Sequence, residues 1–146
     1  MYFYFTMKIA QESKFQQSFD IKRLALYNEA MDLFTLSRKL SNGNLQHSVL
    51  NCPSEKELAT NLSVFISHTA LSLPMSIAEA AITADYSKKL YFQKHIEERV
   101  SQLSKLCKKL EVLYRNRCHS VQQLAHTAHK LEAGFKKWSL QLTSQN

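Results

Sequence analysis

A chain of 146 residues, 45% of them hydrophobic, can bury a core of its own, so we expect one domain that folds without a metal ion or disulfide. Its 2 glycines and 2 prolines are too few for the tight turns of a β-rich protein, which favours long helices. The net charge of +7 lies in the second half: residues 1–84 hold 7 basic and 7 acidic residues, whereas residues 85–146 hold 12 and 5.

The three cysteines, Cys52, Cys107 and Cys118, follow no regular spacing. An odd number without a secretory signal indicates a reducing compartment, so we expect a cytoplasmic protein with small, buried or half-buried cysteines. The aromatic stretch 1–7 is too short to cross a membrane and lacks the basic flank of a signal peptide. No membrane partner is therefore predicted.

Residues 1–19 show no consistent helical face and are predicted to form an irregular lead to a bundle that spans residues 20–146. The first helix is predicted to run from Asp20, a fair N-cap, to Leu40, where 41–44 (Ser-Asn-Gly-Asn) ends it. Two adjacent apolar stripes give this helix the wide face typical of a bundle. The first stripe is Leu26, Ala30, Leu33, Ser37 and Leu40, and the second is Leu24, Tyr27, Met31 and Phe34.

The second helix is predicted to begin near Ser54, because Ser54 and Glu57 have the spacing of a capping box. Pro74 interrupts its pattern, since proline removes a backbone donor and clashes with the carbonyl four residues earlier. The residues up to Ala84 still favour a helix, so we expect one helix kinked at Pro74, with Ser72 bonding nearby backbone. Its predicted apolar face is Leu58, Leu62, Phe65, Ile66 and Thr69.

The third helix is predicted to start at Asp85 or Ser87 and to end at Arg115, and the fourth to span Ser120 to Leu142. Because their connection is short, the two should be antiparallel neighbours. The predicted fold class is all-α, an antiparallel four-helix bundle with a proline-kinked second helix. The apolar seams are Phe92, Ile96, Val100, Leu103, Leu106, Leu110 and Leu113 on the third helix, and Val121, Leu124, Ala128, Leu131, Phe135, Trp138 and Leu142 on the fourth.

Sequence patterns for catalysis are missing. Two glycines cannot build a phosphate-cradling loop, and no Gly-x-Ser-x-Gly elbow is present. Glu97 and Glu98 are adjacent and so point to different faces of a helix. His126 and His129 could share a face, but without a Glu-x-x-His pattern a solvated surface is favoured over a metal site. We therefore expect a non-enzymatic protein without a cofactor or metal ion.

The excess basic residues fall outside the two apolar seams. If the third and fourth helices pack side by side, their outer faces merge into one strip that attracts phosphates without reading base sequence. The predicted nucleic-acid-binding residues are Lys88, Lys89, Lys94, Arg99, Lys105, Lys108, Lys109, Arg115, Arg117, Lys136 and Lys137. The alternative, left open, is an oligomeric protein-interaction scaffold that binds no nucleic acid and whose charge only aids solubility.

The segment around Pro74 also resembles a known signature. It reads Ala70-Leu71-Ser72-Leu73-Pro74-Met75-Ser76-Ile77-Ala78-Glu79-Ala80. This stretch, together with Leu24–Leu33, is similar to a bacterial family of four-helix-bundle proteins first noticed in intervening sequences of large-subunit ribosomal RNA genes. The family commonly has arginines in place of Ser67 and His68, and asparagine and glycine in place of Ser76 and Ala80.

A structural relative of that family is the accessory protein of diversity-generating retroelements. The basic third helix and the stretch 134–138 (Gly-Phe-Lys-Lys-Trp) look similar to that protein. The resemblance implies a homo-oligomer, with a pentamer preferred, that assists a reverse transcriptase with RNA. The two apolar stripes of the first helix, more than one bundle face needs, also favour an oligomer.

Overall fold

The computed structural model describes residues 24–44 and 50–144, with side chains for residues 24–42 and 50–141. Most of these residues are helical and none is in a strand, which confirms the all-α prediction. The predicted lead 1–19 and the N-cap Asp20 lie outside the described residues. The helices are α1 (Ala25–Lys39), α2 (Pro53–Leu71), α3 (Leu73–Ile82), α4 (Tyr86–Tyr114) and α5 (His119–Ser144), with a π-helical turn, Leu40–Asn44, after α1.

Helix α1 faces the core with one of its two predicted stripes. The stripe from Leu26 to Leu40 is buried throughout, including Ser37, whose hydroxyl donates to the carbonyl of Phe34 at 2.8 Å. The second stripe flanks it: Leu24, Tyr27 and Phe34 are half-buried, and Met31 is exposed.

The start of α2 differs from the prediction. The helix begins at Pro53 after Cys52, and no side chain caps it, so the predicted capping box of Ser54 and Glu57 is wrong. Proline suits the first helical position because its missing N–H would have no helical partner there. Glu55 instead accepts the backbone N–H of Asn51 at 3.1 Å.

The predicted second helix consists of α2 and α3, which meet at Ser72. Ser72 keeps right-handed helical angles (φ −84°, ψ −11°), and Pro74 falls in the first turn of α3, where its missing N–H disrupts little. The buried face continues in phase across this junction, in steps of four and three residues. That inner face is formed by Ala59, Ser63, Ile66, Ala70, Leu73, Ile77 and Ala80.

Two residues assigned to the buried face of α2 are on the surface. Leu58 is 49% exposed and Phe65 is 50% exposed, while the small Ala59 and Ser63 are buried. Helix α2 is apolar on several sides, so periodicity does not single out the buried one. The small side chains let α2 approach its neighbours closely, and the larger ones then remain outside.

Helix α4 begins as predicted, because the side chain of Asp85 accepts the backbone N–H of Ser87 at 2.9 Å. Its buried face is rotated slightly from the predicted seam. Cys107 and Tyr114 are buried, whereas the predicted Leu106 and Leu113 are half-buried.

The amide of Gln93, early in α4, donates to the hydroxyl of Ser139, late in α5. This contact shows that α5 runs antiparallel to α4. The buried heptad from Val121 to Trp138 is confirmed. The helix starts before the predicted Ser120, since the carbonyl of Cys118 already accepts the N–H of Gln122 at 3.1 Å.

The cysteines are placed as expected. Cys107 and Cys118 are buried and Cys52 is half-buried, and all three are free thiols. Burial raises the pKa of Cys107 to about 12. The hydroxyl of Ser54, 3.1 Å from the sulfur, lowers the pKa of Cys52.

Tyr114 offers a test of the core. It is 1% exposed, its hydroxyl has no hydrogen-bond partner among the described residues, and burial raises its pKa to about 12. We expect Tyr114→Phe to leave the free energy of unfolding unchanged or to raise it by about 1 kcal/mol, because it removes an unsatisfied polar group. Urea unfolding measures this, with Leu110→Ala, expected to lose about 2–5 kcal/mol, as the control. A clear loss in Tyr114→Phe would contradict the assignment.

Candidate nucleic-acid interface

The predicted basic residues lie at two ends of the α4–α5 pair. Because α5 is antiparallel to α4, Lys136 and Lys137 lie near the beginning of α4, at the same end as Lys88, Lys89 and Lys94. The other end holds the last turns of α4 and the connection to α5. We call that group the basic end; its members are Lys105, Lys108, Lys109, Arg115 and Arg117, and all five are exposed.

The two groups do not form one continuous strip. Lys94 and Lys105 are eleven residues apart, which corresponds to about 16 Å along a helix. Charges at the surface are screened over about 8 Å at physiological salt. Each group therefore presents its own local field to a charged partner.

The two ends differ in the ion pair of Lys136, since within the described residues Lys88, Lys89, Lys94 and Lys137 are also in no ion pair. Glu97 and Glu98 follow Lys94 on α4, and Glu132 forms an ion pair with Lys136 at 3.6 Å. At the basic end the acidic neighbours are Glu111 on α4 and the carboxylates in the first turns of α2. Within the described residues no ion pair joins any acid to the five cations. The charge of the basic end is thus available to a partner.

A groove of about 770 Å³ separates the beginning of α2 from the end of α4. Its floor includes two exposed apolar side chains, Leu58 and Val112, the latter 67% exposed. Lysine stems pack along apolar surface while their ammonium groups reach water, so the basic rim and the apolar floor are compatible. The lining residues are Leu58, Leu62, Lys105, Lys108, Lys109, Val112 and Leu113.

The turn after α4 has left-handed backbone angles at Arg115 (φ 52°) and Asn116 (φ 61°). This region favours glycine and tolerates asparagine, whereas a long side chain there costs about 1–2 kcal/mol. The turn is held by the N–H of Arg115, which donates to the carbonyl of Val112 at 3.1 Å. It leaves the side chains of Arg115 and Arg117 exposed at the end of α4.

Arg99 is not part of either exposed group. Its guanidinium donates to the hydroxyl of Ser72, the side chain is half-buried, and its buried Nε has no hydrogen-bond partner among the described residues. Ser72 was expected to bond nearby backbone, and its hydroxyl instead accepts from α4. Arg99 therefore links α4 to the junction of α2 and α3.

An aromatic side chain that the sequence did not single out lies at the other end of the pair. Tyr91 is 67% exposed, with its ring parallel to that of His95 (centroids 6.3 Å apart) and edge-on to that of Phe92 (5.6 Å). It shares a depression of about 650 Å³ with Lys88. The sequence does contain a sign of an exposed aromatic residue here, because lysines lie on both sides of Tyr91. Trp138, in contrast, is buried beside Phe135.

His126 and His129 are exposed and line a depression of about 400 Å³ with Lys108 and Glu111. Among residues 24–44 and 50–144 no three or more His, Cys, Asp or Glu side chains are grouped to hold a metal ion. The two histidines therefore extend the polar surface beside the basic end.

One described stretch, Pro53–Ile82, is long and apolar enough to cross a membrane by length and composition, because its most apolar 18 residues have a mean hydropathy of 1.2. Of these most apolar residues, 39% are buried in the structure. A helix in the core of a soluble protein meets the same criteria, so this stretch does not decide between the two environments.

Comparisons with protein-family models, with curated proteins and with solved structures find no match to this chain. The family resemblance of residues 70–80 therefore stays a prediction. What the described residues contribute is a local arrangement: five exposed cations, a groove with an apolar floor, and a strained turn.

The placement of Arg99 generates a prediction that separates it from the exposed lysines. We expect Arg99→Gln to lower the free energy of unfolding by about 1–3 kcal/mol, because it removes the charged donor that holds Ser72. Lys109→Gln, in the same helix but exposed, should change stability by less than about 0.5 kcal/mol. Thermal unfolding of both variants measures the difference. Equal stability of the two would show that the contact with Ser72 contributes nothing.

Proposed function

We propose that the basic end binds the phosphate backbone of RNA or DNA and that the protein is a non-enzymatic accessory factor. The observation that supports this most is the group of five exposed cations, none in an ion pair within the described residues. Cations that contact phosphates release condensed counterions, which drives binding regardless of base sequence. Specificity would then come from a partner.

The same cations have a structural contribution that must be weighed against binding. Positive side chains near the end of a helix offset its dipole and stabilise it by about 0.3–1 kcal/mol each. Offsetting the helix dipole does not require five cations, and it does not require an arginine at the strained position of Arg115. A glycine there would fit the turn with less strain, so the charge at Arg115 favours a role in binding.

The finer parts of the proposal rest on the family resemblance. They are a reverse transcriptase as the protein partner and a homo-oligomer with a pentamer preferred, whereas the proposed cytoplasmic location rests on the odd number of cysteines. In such an assembly the basic end of each copy would hold nucleic acid while the partner enzyme selects the sequence.

A second candidate function is a protein-interaction scaffold. The groove favours it, because the exposed Leu58 and Val112 give it an apolar floor and three lysines form its rim. An amphipathic helix with acidic flanks would bury its apolar face on such a floor and pair its carboxylates with the rim. The two candidates use the same lysines, but only the scaffold needs the apolar floor.

The first test replaces Lys105, Lys108 and Lys109 by glutamine, which is a good helix former and keeps most of the stem. Binding of a labelled single-stranded RNA and of a DNA duplex should both weaken, because three phosphate contacts are lost. The slope of log K against log salt concentration should fall in magnitude by about 2 to 3. Fluorescence anisotropy over a salt series measures both effects.

A matched control removes the same charge at the other end, as Lys88→Gln, Lys136→Gln and Lys137→Gln. If the basic end is the site, this control binds nearly as tightly as the unchanged protein. Equal weakening in both variants would show that only the net charge matters. Unchanged binding in the first variant, or no binding at low salt by the unchanged protein, would favour the scaffold.

The strained turn gives a second test. We expect Arg115→Gly to keep the free energy of unfolding or raise it by up to about 1 kcal/mol, because glycine adopts positive φ without strain. The same variant should bind nucleic acid more weakly, since one phosphate contact is lost. Arg115→Ala is the control, with equally weak binding but no relief of strain. If Arg115→Gly binds as tightly as the unchanged protein, Arg115 contacts no phosphate.

A further inference from the structure

Helices α2 and α3 carry an apolar face on the side opposite their buried one. Because the buried face keeps its phase across Ser72, positions half a turn away also form one continuous row, in steps of four and three residues. We call this row the outer face. It consists of Val64, His68, Leu71, Met75, Ala78 and Ile82, with Glu79 beside it.

The outer face is unusual for a surface in contact with water. Leu71 is 58% exposed and Met75 is 68% exposed, and Val64 and Ile82 are exposed as well. From Leu58 to Ala84 the chain has one formal charge, Glu79. A helix at the surface of a soluble protein normally has charged residues on the side away from the core. A helix that is apolar on every side is normally buried on every side by other protein or by a membrane.

The row is complementary to itself when two copies run antiparallel. With a two-fold axis at position 73, Val64 of each copy lies opposite Ile82 of the other, and Leu71 lies opposite Met75. Apolar side chains therefore meet at the centre and at both ends of the row, which spans about 27 Å from Val64 to Ile82. An isologous interface requires this kind of self-complementarity.

The polar residues of the row fit the same register. His68 of one copy lies opposite Ala78 of the other and next to its Glu79, so each outer-face carboxylate has an imidazole within the interface. Two such pairs form per dimer. A parallel arrangement would place each residue beside the same residue of the second chain, so Glu79 would face Glu79.

We propose that the outer face binds the outer face of a second copy of this chain, in an antiparallel, two-fold dimer. A ring of five needs two different surfaces on each copy, because its contacts are heterologous. The outer face alone therefore gives a dimer of about twice the 16.9 kDa chain mass. This inference concerns the side of α2 and α3 away from the core and does not depend on nucleic-acid binding.

Sedimentation equilibrium of the full chain tests the proposal, over about 1 to 300 µM, a range that covers interfaces of moderate strength. We expect a monomer–dimer equilibrium for the unchanged protein. Met75→Glu should shift the dissociation constant by tenfold or more toward monomer, because it places a charge in the apolar row. Val112→Glu is the matched control, since Val112 is equally exposed but lies on α4 at the basic end, and it should dimerise unchanged.

Cross-linking tests the register itself. In a Cys52→Ser background, which removes the half-buried native thiol, Leu71→Cys mixed with Met75→Cys should form a disulfide-linked dimer on mild oxidation. Val64→Cys mixed with Ile82→Cys should do the same. Val64→Cys alone should not, because the Val64 positions of the two copies lie about 27 Å apart along the helices in the antiparallel register.

Four results would overturn the proposal. They are a monomer at every concentration, dimers that Met75→Glu leaves unchanged, cross-linking that ignores the register, and a pentameric mass, which would favour the ring implied by the family resemblance over the dimer. Co-sedimentation with phosphatidylcholine vesicles that Met75→Glu abolishes would identify a membrane, instead of a second copy, as what covers the outer face.

Discussion

The packing of α2 and α3 against the other helices depends on one unbroken buried face. Alanine and serine at 59, 63, 70 and 80 let these helices approach their neighbours closely, and Ile66, Leu73 and Ile77 fill the remaining space. Pro74 could have broken this face, but it falls in the first turn of α3, where its missing N–H disrupts little. Because the phase is kept, everything on the opposite side of α2 and α3 is directed away from the core.

That constraint separates the surface into parts with different chemistry. Val64, Leu71, Met75 and Ile82 lie half a turn from the buried face of α2 and α3, so they remain outside as an uncharged row. Charge is instead concentrated on α4 and α5, where bulky seams already fill the core. A protein that binds a polyanion with one side and a partner with the other needs such a separation, since an apolar interface excludes unpaired charge.

The sequence predicted the helices and much of the core, but not the arrangement of the site. The heptad of α5 and the first stripe of α1 were predictable because each shows one clear apolar side. Leu58 and Phe65 were assigned wrongly because α2 is apolar on several sides, and only packing shows which one is buried. The eleven basic residues were identifiable by type, but the division of ten of them into two ends follows from the antiparallel contact of Gln93 with Ser139. The contact between Arg99 and Ser72 joins residues 27 apart, which no local pattern reveals.

Polar atoms that are buried without a partner mark where the bundle has not optimised stability. Within the described residues these are Glu29 Oε2, Arg99 Nε and the hydroxyl of Tyr114. Glu29 faces Gly134, where a Cβ would lie 2.9 Å from its oxygen, so the glycine makes room for a charged side chain between α1 and α5. Arg99 holds the junction of α2 and α3 through one terminal nitrogen and leaves its Nε without a partner among the described residues. Of the four positions, Tyr114 and the strained Arg115 are those where phenylalanine and glycine, respectively, are expected to be at least as stable. A bundle selected for stability alone would have little reason to retain an arginine at the left-handed angles of residue 115, and this position belongs to the exposed basic end.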